Sequence, residues 1–339
     1  MIDTVKFRIP VDESLYNQIR SKGESNIIRD YVNKEQWIRY MKAEVELGSY
    51  DRHITLFSYD ESCVYLECSL PKQYKGENVT LLFPSELILA LEHIHTSLIQ
   101  VFPTFPSYKD WRIVRLDICY AWRLSTELQS TRILDMLKHL EYPRKFRYVY
   151  KTAVMFKGHH YSIKFYLKHP EFIRHDFKTL HEKDPEKAMQ IYESSKNVVR
   201  FEITYRKEQL KHLFEKSSIT YKDLLDEKFF ETEMNDKINK LLQNRNTESM
   251  TDDQIVFNLK KVYKPDKAMR LFNFYKQYYS DKEYLKQLIK DNYHPSTIWR
   301  NRRDIVKANV GISNNTIDFD FNLSIPSDLA VTHECQLPR

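Results

Sequence analysis

Glycine is scarce in this chain, with 5 residues among 339. Phosphate-binding loops rely on glycine, and neither G-x-x-x-x-G-K-S/T nor G-x-G-x-x-G occurs, which excludes a nucleotide-binding loop of either type. No run of about 18 apolar residues is present, so no membrane-spanning helix and no membrane partner is predicted. Residues 1–3, Met-Ile-Asp, begin neither a basic nor an apolar segment, so no secretory signal peptide is expected.

Cysteine is also rare, and the 4 residues form no C-x-x-C pair and no zinc-ligand spacing. They are Cys63, Cys68, Cys119 and Cys335. Neither a disulfide framework nor a zinc site is indicated. The cysteines are therefore expected to be reduced thiols in a cytosol-like compartment.

The residues that are abundant favour a folded chain with an anionic partner. Hydrophobic residues make up 42% and charged residues 29%, which is typical of a chain with a packed core. The net charge is +6, and 23 tyrosines accompany 53 Lys plus Arg. Rings and cations together suit single-stranded nucleic acid, where bases stack and phosphates pair with cations. The same composition also accompanies an A·T-rich genome, so it does not by itself identify the partner.

Strand and helix patterns alternate over the first 215 residues and predict an α+β fold, a largely antiparallel sheet with flanking helices. The predicted strands are Thr4–Ile9, Arg52–Phe57, Cys63–Ser69, Asn78–Phe83, Arg112–Trp122, Arg147–Phe156, Tyr161–Leu167 and Val198–Tyr205. The predicted helices run from Pro84 to about Leu98, from Ser125 or Thr126 to about Leu140, and from Pro185 to Ser194. Hairpin turns are expected at residues 58–61 and 157–160.

After about residue 207 the pattern becomes almost entirely helical, with a polar break at Gln243–Asp252. The elements predicted near its end are a helix–turn–helix-like pair, Lys282–Ile289 and Ser296–Ala308, and a last strand, Thr316–Leu323. The change in composition divides the chain into a sheet domain, residues 1–215, and a mainly helical C-terminal domain, residues 216–339.

Two of the predicted strands carry an arginine and an acid at alternate positions. Arg115 and Asp117 share one face of their strand, and Arg200 and Glu202 share one face of theirs. An acid in mid-strand is disfavoured unless a metal or a cation balances its charge. Each pair also matches an ordinary ion pair on an exposed sheet face, so both interpretations stay open.

The segment Y-S-I-K-F-Y-L-K-H-P-E places a tyrosine between two lysines. If this strand continues, Lys164, Tyr166 and Lys168 share a face, and their positive field favours the phenolate and attracts phosphate. His169 and Glu171 follow as a candidate general base and a hard oxygen ligand. The alternative is a half-buried tyrosine that packs in the sheet.

If the three strands are adjacent in the sheet, their ionic side chains would lie together on one face. Asp117, Glu202 and Glu171 beside Tyr166 would form a Mg²⁺ or Mn²⁺ site next to a nucleophile. In the second domain a short predicted helix carries an aromatic residue and three arginines: Trp299, Arg300, Arg302 and Arg303. Such a cluster suits DNA contacts, and it also matches a solvated basic helix face.

Six segments follow one another along nearly the whole chain: M-I-D-T-V-K-F-R-I-P, I-V-R-L-D-I, K-F-Y-L-K-H-P-E, V-V-R-F-E, K-A-M-R-L-F-N-F-Y-K and H-P-S-T-I-W-R. In this order they resemble the replication endonuclease encoded by gene II of filamentous phages. That family is similar to plasmid rolling-circle initiators with an HUH-like sheet, whose R-x-D, Y-x-K and R-x-E strands form the active site. Many of those initiators also have a His-hydrophobic-His strand motif. Here the close pairs, His93/His95 and His159/His160, fall on a predicted helix and a predicted turn.

The resemblance implies an enzyme that starts rolling-circle replication by nicking one DNA strand, with Tyr166 as the nucleophile, and that later rejoins the ends. The residues expected to take part in catalysis are Tyr166, Lys164, Lys168 and His169; to hold Mg²⁺ or Mn²⁺, Asp117, Glu202 and Glu171; and to bind DNA, Arg115, Arg200, Trp299, Arg300, Arg302 and Arg303. Residues 1–215 would be the nicking-joining domain, and residues 216–339 a DNA-binding or accessory domain.

The expected partners are single- or double-stranded origin DNA together with host helicase and polymerase, in the host bacterial cytoplasm. Two other functions stay open. A non-catalytic single-strand or origin DNA-binding protein would not need acids that face its anionic ligand. A metal-dependent nuclease that activates water would need the acids but not the tyrosine. A covalent protein–DNA adduct distinguishes all three.

Overall fold

The computed structural model describes residues 1–30, 35–45, 54–243, 251–278, 292–308 and 310. The chain divides into two compact units, the first from Met1 to Lys237 and the second beginning at Ile238. The first unit combines a sheet with helices, and the described part of the second is helical. The predicted fold class, α+β followed by a helical region, is confirmed.

Ten strands of the described residues form one sheet, and every neighbouring pair is antiparallel. They are β1 (Ile2–Pro10), β2 (Glu24–Asp30), β3 (Glu35–Val45), β4 (Ile54–Asp60), β5 (Cys63–Ser69), β6 (Arg112–Arg123), β7 (Phe146–Tyr150), β8 (Ala153–Lys157), β9 (Tyr161–Leu167) and β10 (Val198–Arg206). Their order across the sheet is β2-β3-β4-β5-β1-β6-β10-β9-β8-β7. The middle strands β1, β6 and β10 are far apart in sequence, so folding brings distant segments side by side.

Alternation gives the central strands one apolar face. Leu116 and Ile118 of β6, Phe201 and Ile203 of β10, and Phe165 of β9 are all buried. The rings of Phe165 and Phe201 stack with centroids 4.7 Å apart. Burying one such side chain stabilises the fold by about 1.5–3 kcal/mol, so this face fixes which residues of neighbouring strands lie opposite each other.

The helices that begin within the first unit are α1 (Glu13–Ser21), α2 (Leu70–Lys75), α3 (Leu87–Val101), α4 (Glu127–His139), α5 (Lys168–Phe172), α6 (Lys178–Lys183), α7 (Pro185–Ser195), α8 (Lys207–Phe214) and α9 (Glu227–Gln243). A π-helical turn, Ile173–Phe177, joins α5 to α6. Thr126 caps α4 by accepting a hydrogen bond from the backbone N–H of Gln129, as predicted. Leu87, Leu91, Ile94 and Leu98 form a buried stripe on α3, and α4 packs against β8, β9 and β10.

The second unit contains α10 (Asp252–Val262), α11 (Pro265–Tyr278) and α12 (Pro295–Lys307). Their shared core includes Ile255, Leu259, Ala268, Leu271, Phe274, Tyr275 and Ile305. Phe272 of α11 is partly exposed and packs against this core. The predicted helix Lys282–Ile289 and strand Thr316–Leu323 lie outside the described residues.

Two predicted strands are wrong. Asn78–Phe83 is a bent segment with a single bridge, from Leu82 to Ile2, because the carboxylate of Glu77 accepts a hydrogen bond from the backbone N–H of Thr80 at 3.0 Å and holds a local turn. Arg147–Phe156 is two strands, β7 and β8. No glycine or asparagine marks the turn between them. The sequence patterns also missed α1, α2, β2 and β3.

Candidate active site

Four of the residues predicted for catalysis or metal binding lie on one face of three adjacent strands. Glu202 in β10 lies opposite Cys119 in β6 on one side and Lys164 in β9 on the other. Directly opposite residues of an antiparallel pair share a face, and so do residues two positions apart on a strand. Asp117 and Tyr166 therefore face the same way. We call the side that carries Asp117, Lys164, Tyr166 and Glu202 the ionic face.

Tyr166 is nearly enclosed, with 4% of the residue exposed, and its hydroxyl donates to Oε2 of Glu202 at 3.2 Å. Burial raises the pKa of Tyr166 well above its usual value, and the Glu202 carboxylate raises it further. Nζ of Lys164 lies 4.3 Å from the ring centroid and Nζ of Lys168 lies 5.9 Å from it. The predicted effect of these lysines, a favoured phenolate, does not decide the direction of the shift, because burial and the Glu202 carboxylate raise the pKa of Tyr166. The phenol is held protonated beside a carboxylate that can accept its proton.

Glu202 is half-buried, and burial together with the charge of Asp3 raises its pKa, against the opposing effect of Lys164. A carboxylate with a raised pKa is a stronger base than a surface carboxylate. The residue that contacts the tyrosine hydroxyl is therefore also suited to remove its proton.

Asp117 is buried and held by Arg115, whose Nε and Nη2 donate to its two carboxylate oxygens at 3.0 and 2.6 Å. Nη1 of Arg115 donates to Glu67 at 2.8 Å. Burial raises the pKa of Asp117 to about 7; Arg115 opposes this effect, and Glu202 adds to it. Because Arg115 contacts both Asp117 and Glu67, its single positive charge does not fully offset the negative charge of ionised Asp117. Arg115, predicted to bind DNA, is engaged by both acids while its side chain stays partly exposed.

Lys168, His169 and Glu171 do not continue the strand as expected. β9 ends at Leu167, and these residues form the first turn of α5. Pro170 is tolerated there because backbone N–H groups of a first turn have no helical partner. The sequence gives no signal for the start of α5, because no side chain caps this helix.

Lys168 is completely buried and donates from Nζ to Oδ1 of Asn78 at 2.9 Å and to Oε2 of Glu171 at 2.6 Å. Burial raises the pKa of Glu171, but the Lys168 ammonium more than reverses this and holds it below its usual value. Glu171 thus neutralises an interior lysine, which leaves it poorly placed as the predicted metal ligand. Lys168 itself has no exposed surface for a phosphate contact.

Arg200, predicted to bind DNA, is also completely buried. Its Nη2 lies 3.4 Å from Oδ2 of Asp3 and 2.9 Å from Sγ of Cys119, and its Nη1 donates to the carbonyl of Asn78. The guanidinium therefore ties β10 to β1, β6 and the loop at Asn78 rather than reaching DNA.

His169 contacts α7 instead of the tyrosine. Its Nδ1 lies 2.8 Å from Oγ of Ser195, and its ring centroid lies 4.6 Å from that of Tyr192. Burial lowers the pKa of His169. This geometry favours Glu202 over His169 as the base that serves Tyr166.

The predicted basic cluster of the second unit lies on α12. Arg300 is exposed and donates to Oγ1 of Thr297 at 3.2 Å, and Arg303 is exposed beside Asp304, at 3.2 Å. The side chains of Trp299 and Arg302 lie outside the described part of the structure.

Three residues of the site gave no sequence signal. Asp3 and Asn78 contact the buried cations, and Glu67 shares Arg115 with Asp117. Asn78 lies 90 residues from Lys168 and 122 from Arg200 along the chain, so no local pattern could reveal the contacts.

The family model of the N-terminal part of the gene II-type phage replication-associated protein matches residues 1–224. The chain belongs to this family. The match includes all ten strands and every residue of the ionic face, and it supports a role in the initiation of phage replication, which implies DNA binding. No curated protein and no solved structure matches the chain. Of the helices that the structure describes, none is both long and apolar enough to cross a membrane.

A divalent ion is the cofactor that the resemblance implies for this replication-associated protein. Within the described ranges, no group of three or more His, Cys, Asp or Glu side chains is arranged to hold a metal ion. Asp117 and Glu202 nevertheless share a face, and the pKa of each is raised mainly by burial, so a cation bound beside them would favour their ionised forms. Mg²⁺ often takes only one or two carboxylates and completes its shell with waters and substrate phosphates. Both oxygens of Asp117 also accept from Arg115, but Arg115 divides its charge between Asp117 and Glu67, so Asp117 and Glu202 suit such an ion better than Glu171, which is bound to Lys168.

Proposed function

We propose that this phage replication protein nicks one strand of origin DNA by transesterification, with Tyr166 as the nucleophile. The observation that carries the proposal is the 3.2 Å hydrogen bond from the Tyr166 hydroxyl to Glu202, on a face that also carries Lys164 and Asp117. A nucleophile within hydrogen-bond reach of a base is the arrangement that covalent catalysis needs. Both Lys164 and Glu202 are partly exposed, so DNA can approach this end of the pair.

In the proposed reaction the Tyr166 oxygen attacks phosphorus while its proton passes to Glu202. The bond from phosphorus to the 3′ oxygen breaks, and that oxygen takes a proton from solvent and becomes a free 3′-hydroxyl. The 5′ side stays linked to the protein as a phosphotyrosine. One phosphate ester bond forms for each one that breaks, so the reverse step can rejoin DNA ends without an added energy source.

Several groups would support this step. Asp117 and Oε1 of Glu202, the oxygen that does not accept from Tyr166, would hold Mg²⁺ or Mn²⁺, which when bound supplies charge stabilisation at the phosphate oxygens. Lys164 lies closest to the ring, and its ammonium would pair with a phosphate oxygen as charge develops. Lys168 and Arg200 are buried and would contribute by holding α5 and β10 in place around the tyrosine.

Further parts of the proposal follow from the chemistry of the product. Host polymerase would extend the 3′-hydroxyl and host helicase would open the duplex ahead of it, in the cytoplasm of the bacterial host. The second unit would add DNA affinity through Arg300 and Arg303 on α12. In the proposed arrangement the first unit nicks the DNA and the second unit helps to bind it.

The test uses full-length protein, Mg²⁺ or Mn²⁺, and supercoiled double-stranded DNA of the phage genome that encodes the chain. Nicking is followed by conversion to open circles, and the covalent product by an SDS-resistant protein–DNA band. Tyr166→Phe should form no adduct, and Glu202→Gln should slow nicking by about 10²–10⁴-fold. Tyr161→Phe is the matched control, because Tyr161 lies on the same strand opposite Tyr205, away from the ionic face.

The other outcomes identify the rival functions. Nicking without adduct in Tyr166→Phe would assign the chain to nucleases that activate water. Wild-type protein that binds this DNA but neither nicks nor links to it would be a non-catalytic DNA-binding protein.

A further inference from the structure

Three large aromatic side chains stand exposed on the strand β7. Phe146, Tyr148 and Tyr150 have 70%, 44% and 50% of their surface exposed. They alternate along the strand, so they share one face. We call these three residues the aromatic stripe. In the described part of the sheet β7 has a neighbour on one side only, β8. Exposed rings in a row are unusual, because aromatic side chains normally contribute to a core or an interface.

The cross-strand register places the aromatic stripe on the ionic face. Tyr150 lies opposite Ala153 in β8, which lies opposite Tyr166 in β9. Tyr148 lies opposite Met155, which in turn lies opposite Lys164. Two strand spacings of about 4.8 Å separate the stripe from the candidate nucleophile, roughly 10 Å in all. The residue between the two tyrosines is Ala153, whose side chain is a single methyl group, so no large side chain separates them.

The segment that carries the stripe contains charges of a single sign. Residues 142–170 contain seven Lys or Arg and no Asp or Glu. They are Arg144, Lys145, Arg147, Lys151, Lys157, Lys164 and Lys168, of which Lys168 is buried and paired with Glu171. Lys157 is exposed and lies directly opposite Phe146 on the same face, so a cation accompanies the rings themselves. The surface therefore complements an anionic partner that also has flat apolar groups.

We infer that the aromatic stripe binds single-stranded DNA and leads it across β8 to Tyr166; the inference rests on the proposed nicking function. Bases would stack on the rings while Lys157 and its basic neighbours pair with phosphates. Rings on alternate residues are roughly 6.8 Å apart. Stacked nucleotides of a duplex rise only about 3.4 Å, so the stripe matches bases that have left the stack. The partner is thus a melted strand rather than double-stranded DNA.

A second copy of the chain is the rival occupant, because a free edge strand can pair with another strand. The charge pattern argues against it: two copies joined edge to edge at β7 would bring like-charged segments together, with no acid between residues 142 and 170 to offset them.

The test measures affinity for a fluorescent 20-nucleotide oligo-dT and for a duplex hairpin of equal charge, in chelator and in the full-length Tyr166→Phe background. Neither a metal nor covalent capture then contributes. Three variants are compared: Tyr148→Leu with Tyr150→Leu, Tyr148→Phe with Tyr150→Phe, and Val149→Ala. Val149 is exposed on the other face of β7, and thermal unfolding checks the fold of each variant.

The leucine pair should weaken oligo-dT binding by about 25-fold, fivefold for each ring, because base stacking on one ring contributes about 1 kcal/mol or more. The phenylalanine pair keeps both rings and should bind within twofold of the parent, as should Val149→Ala. Hairpin binding should change much less. Unchanged oligo-dT affinity in the leucine pair, or equal loss in the phenylalanine pair, would overturn the inference. So would a leucine pair that alters only self-association in sedimentation.

The two proposals fail separately. If wild-type protein forms the covalent adduct but the leucine pair binds oligo-dT normally, the inference that the aromatic stripe binds DNA is wrong and the nicking function stands. If no adduct forms but binding depends on the rings, the nicking function is wrong and the surface stands as a single-strand binding site.

Discussion

Replacing Asp117 by Asn should change how the stability of the protein depends on pH. Burial raises the pKa of Asp117 from 3.8 to about 7 in the folded chain. Below pH 4 both folded and unfolded chains hold the proton, and between pH 4 and 7 mainly the folded chain holds it. Folding therefore binds a proton in this range, and the free energy of unfolding falls as the pH rises. The amide of the substituted asparagine does not titrate, so the variant lacks this contribution.

The magnitude follows from the two pKa values. Between pH 5 and pH 8 the Asp117 contribution to the free energy of unfolding should fall by about 2.5 kcal/mol. Asn keeps the shape and an acceptor for Arg115, and it is neutral, as protonated Asp117 is. Relative to wild type, the variant should therefore gain about 2.5 kcal/mol of stability between pH 5 and pH 8, where only wild type comes to bury an ionised carboxylate.

Urea denaturation of both proteins at pH 5 and pH 8, with chelator and with Mg²⁺ or Mn²⁺, measures the difference. With chelator, the pH-dependent loss should be about 2.5 kcal/mol larger for wild type. At pH 8 the metal should stabilise wild type and leave Asp117→Asn unchanged, because the variant lacks one of the two carboxylates. Identical pH dependence in chelator would refute the raised pKa, and equal stabilisation by metal would remove Asp117 from the cation site.

Two further predictions concern other predicted residues. Glu171→Gln should destabilise the chain by about 3 kcal/mol in urea denaturation, because its lysine partner is left charged and buried, whereas Glu193→Gln, at an exposed pair, should cost under about 1 kcal/mol. Replacing Arg300, Arg302 and Arg303 together by Ala should reduce the slope of log Kd against log salt by up to about 3 units, and an unchanged slope would assign the DNA contacts to the first unit.

Local patterns predicted much of the sheet and the face on which its reactive groups lie. Period-two alternation in β6, β9 and β10 put Asp117, Tyr166 and Glu202 on one side, and the structure has them there. Helix α4 was predicted from a capping residue, Ser125 or Thr126, and it is the Thr126 side chain that makes the expected bond. These features depend on residues close in sequence, which is why a single chain reveals them.

Burial at the site could not be predicted in this way. A sequence shows that Lys168 and Arg200 are charged, and charged residues are usually exposed. Both are interior because Asn78 and Asp3 reach them from distant segments, and Glu171 neutralises Lys168 within one helical turn. The same burial reverses the expected effect on the Tyr166 pKa. The alternation of aromatic residues in the stripe, in contrast, is visible in the sequence F-R-Y-V-Y, but the exposure of their side chains depends on β7 being an edge strand.

The geometry of the ionic face is set by a face that takes no part in chemistry. Side chains alternate with a period of two, so a slip of β9 by one residue would turn Tyr166 into the core and bring Phe165 among the charges. What opposes that slip is apolar packing: the Phe165 ring stacks on Phe201, and Phe201 stacks on Trp122 at 6.0 Å. The contact between Tyr166 and Glu202 thus depends on the whole central sheet.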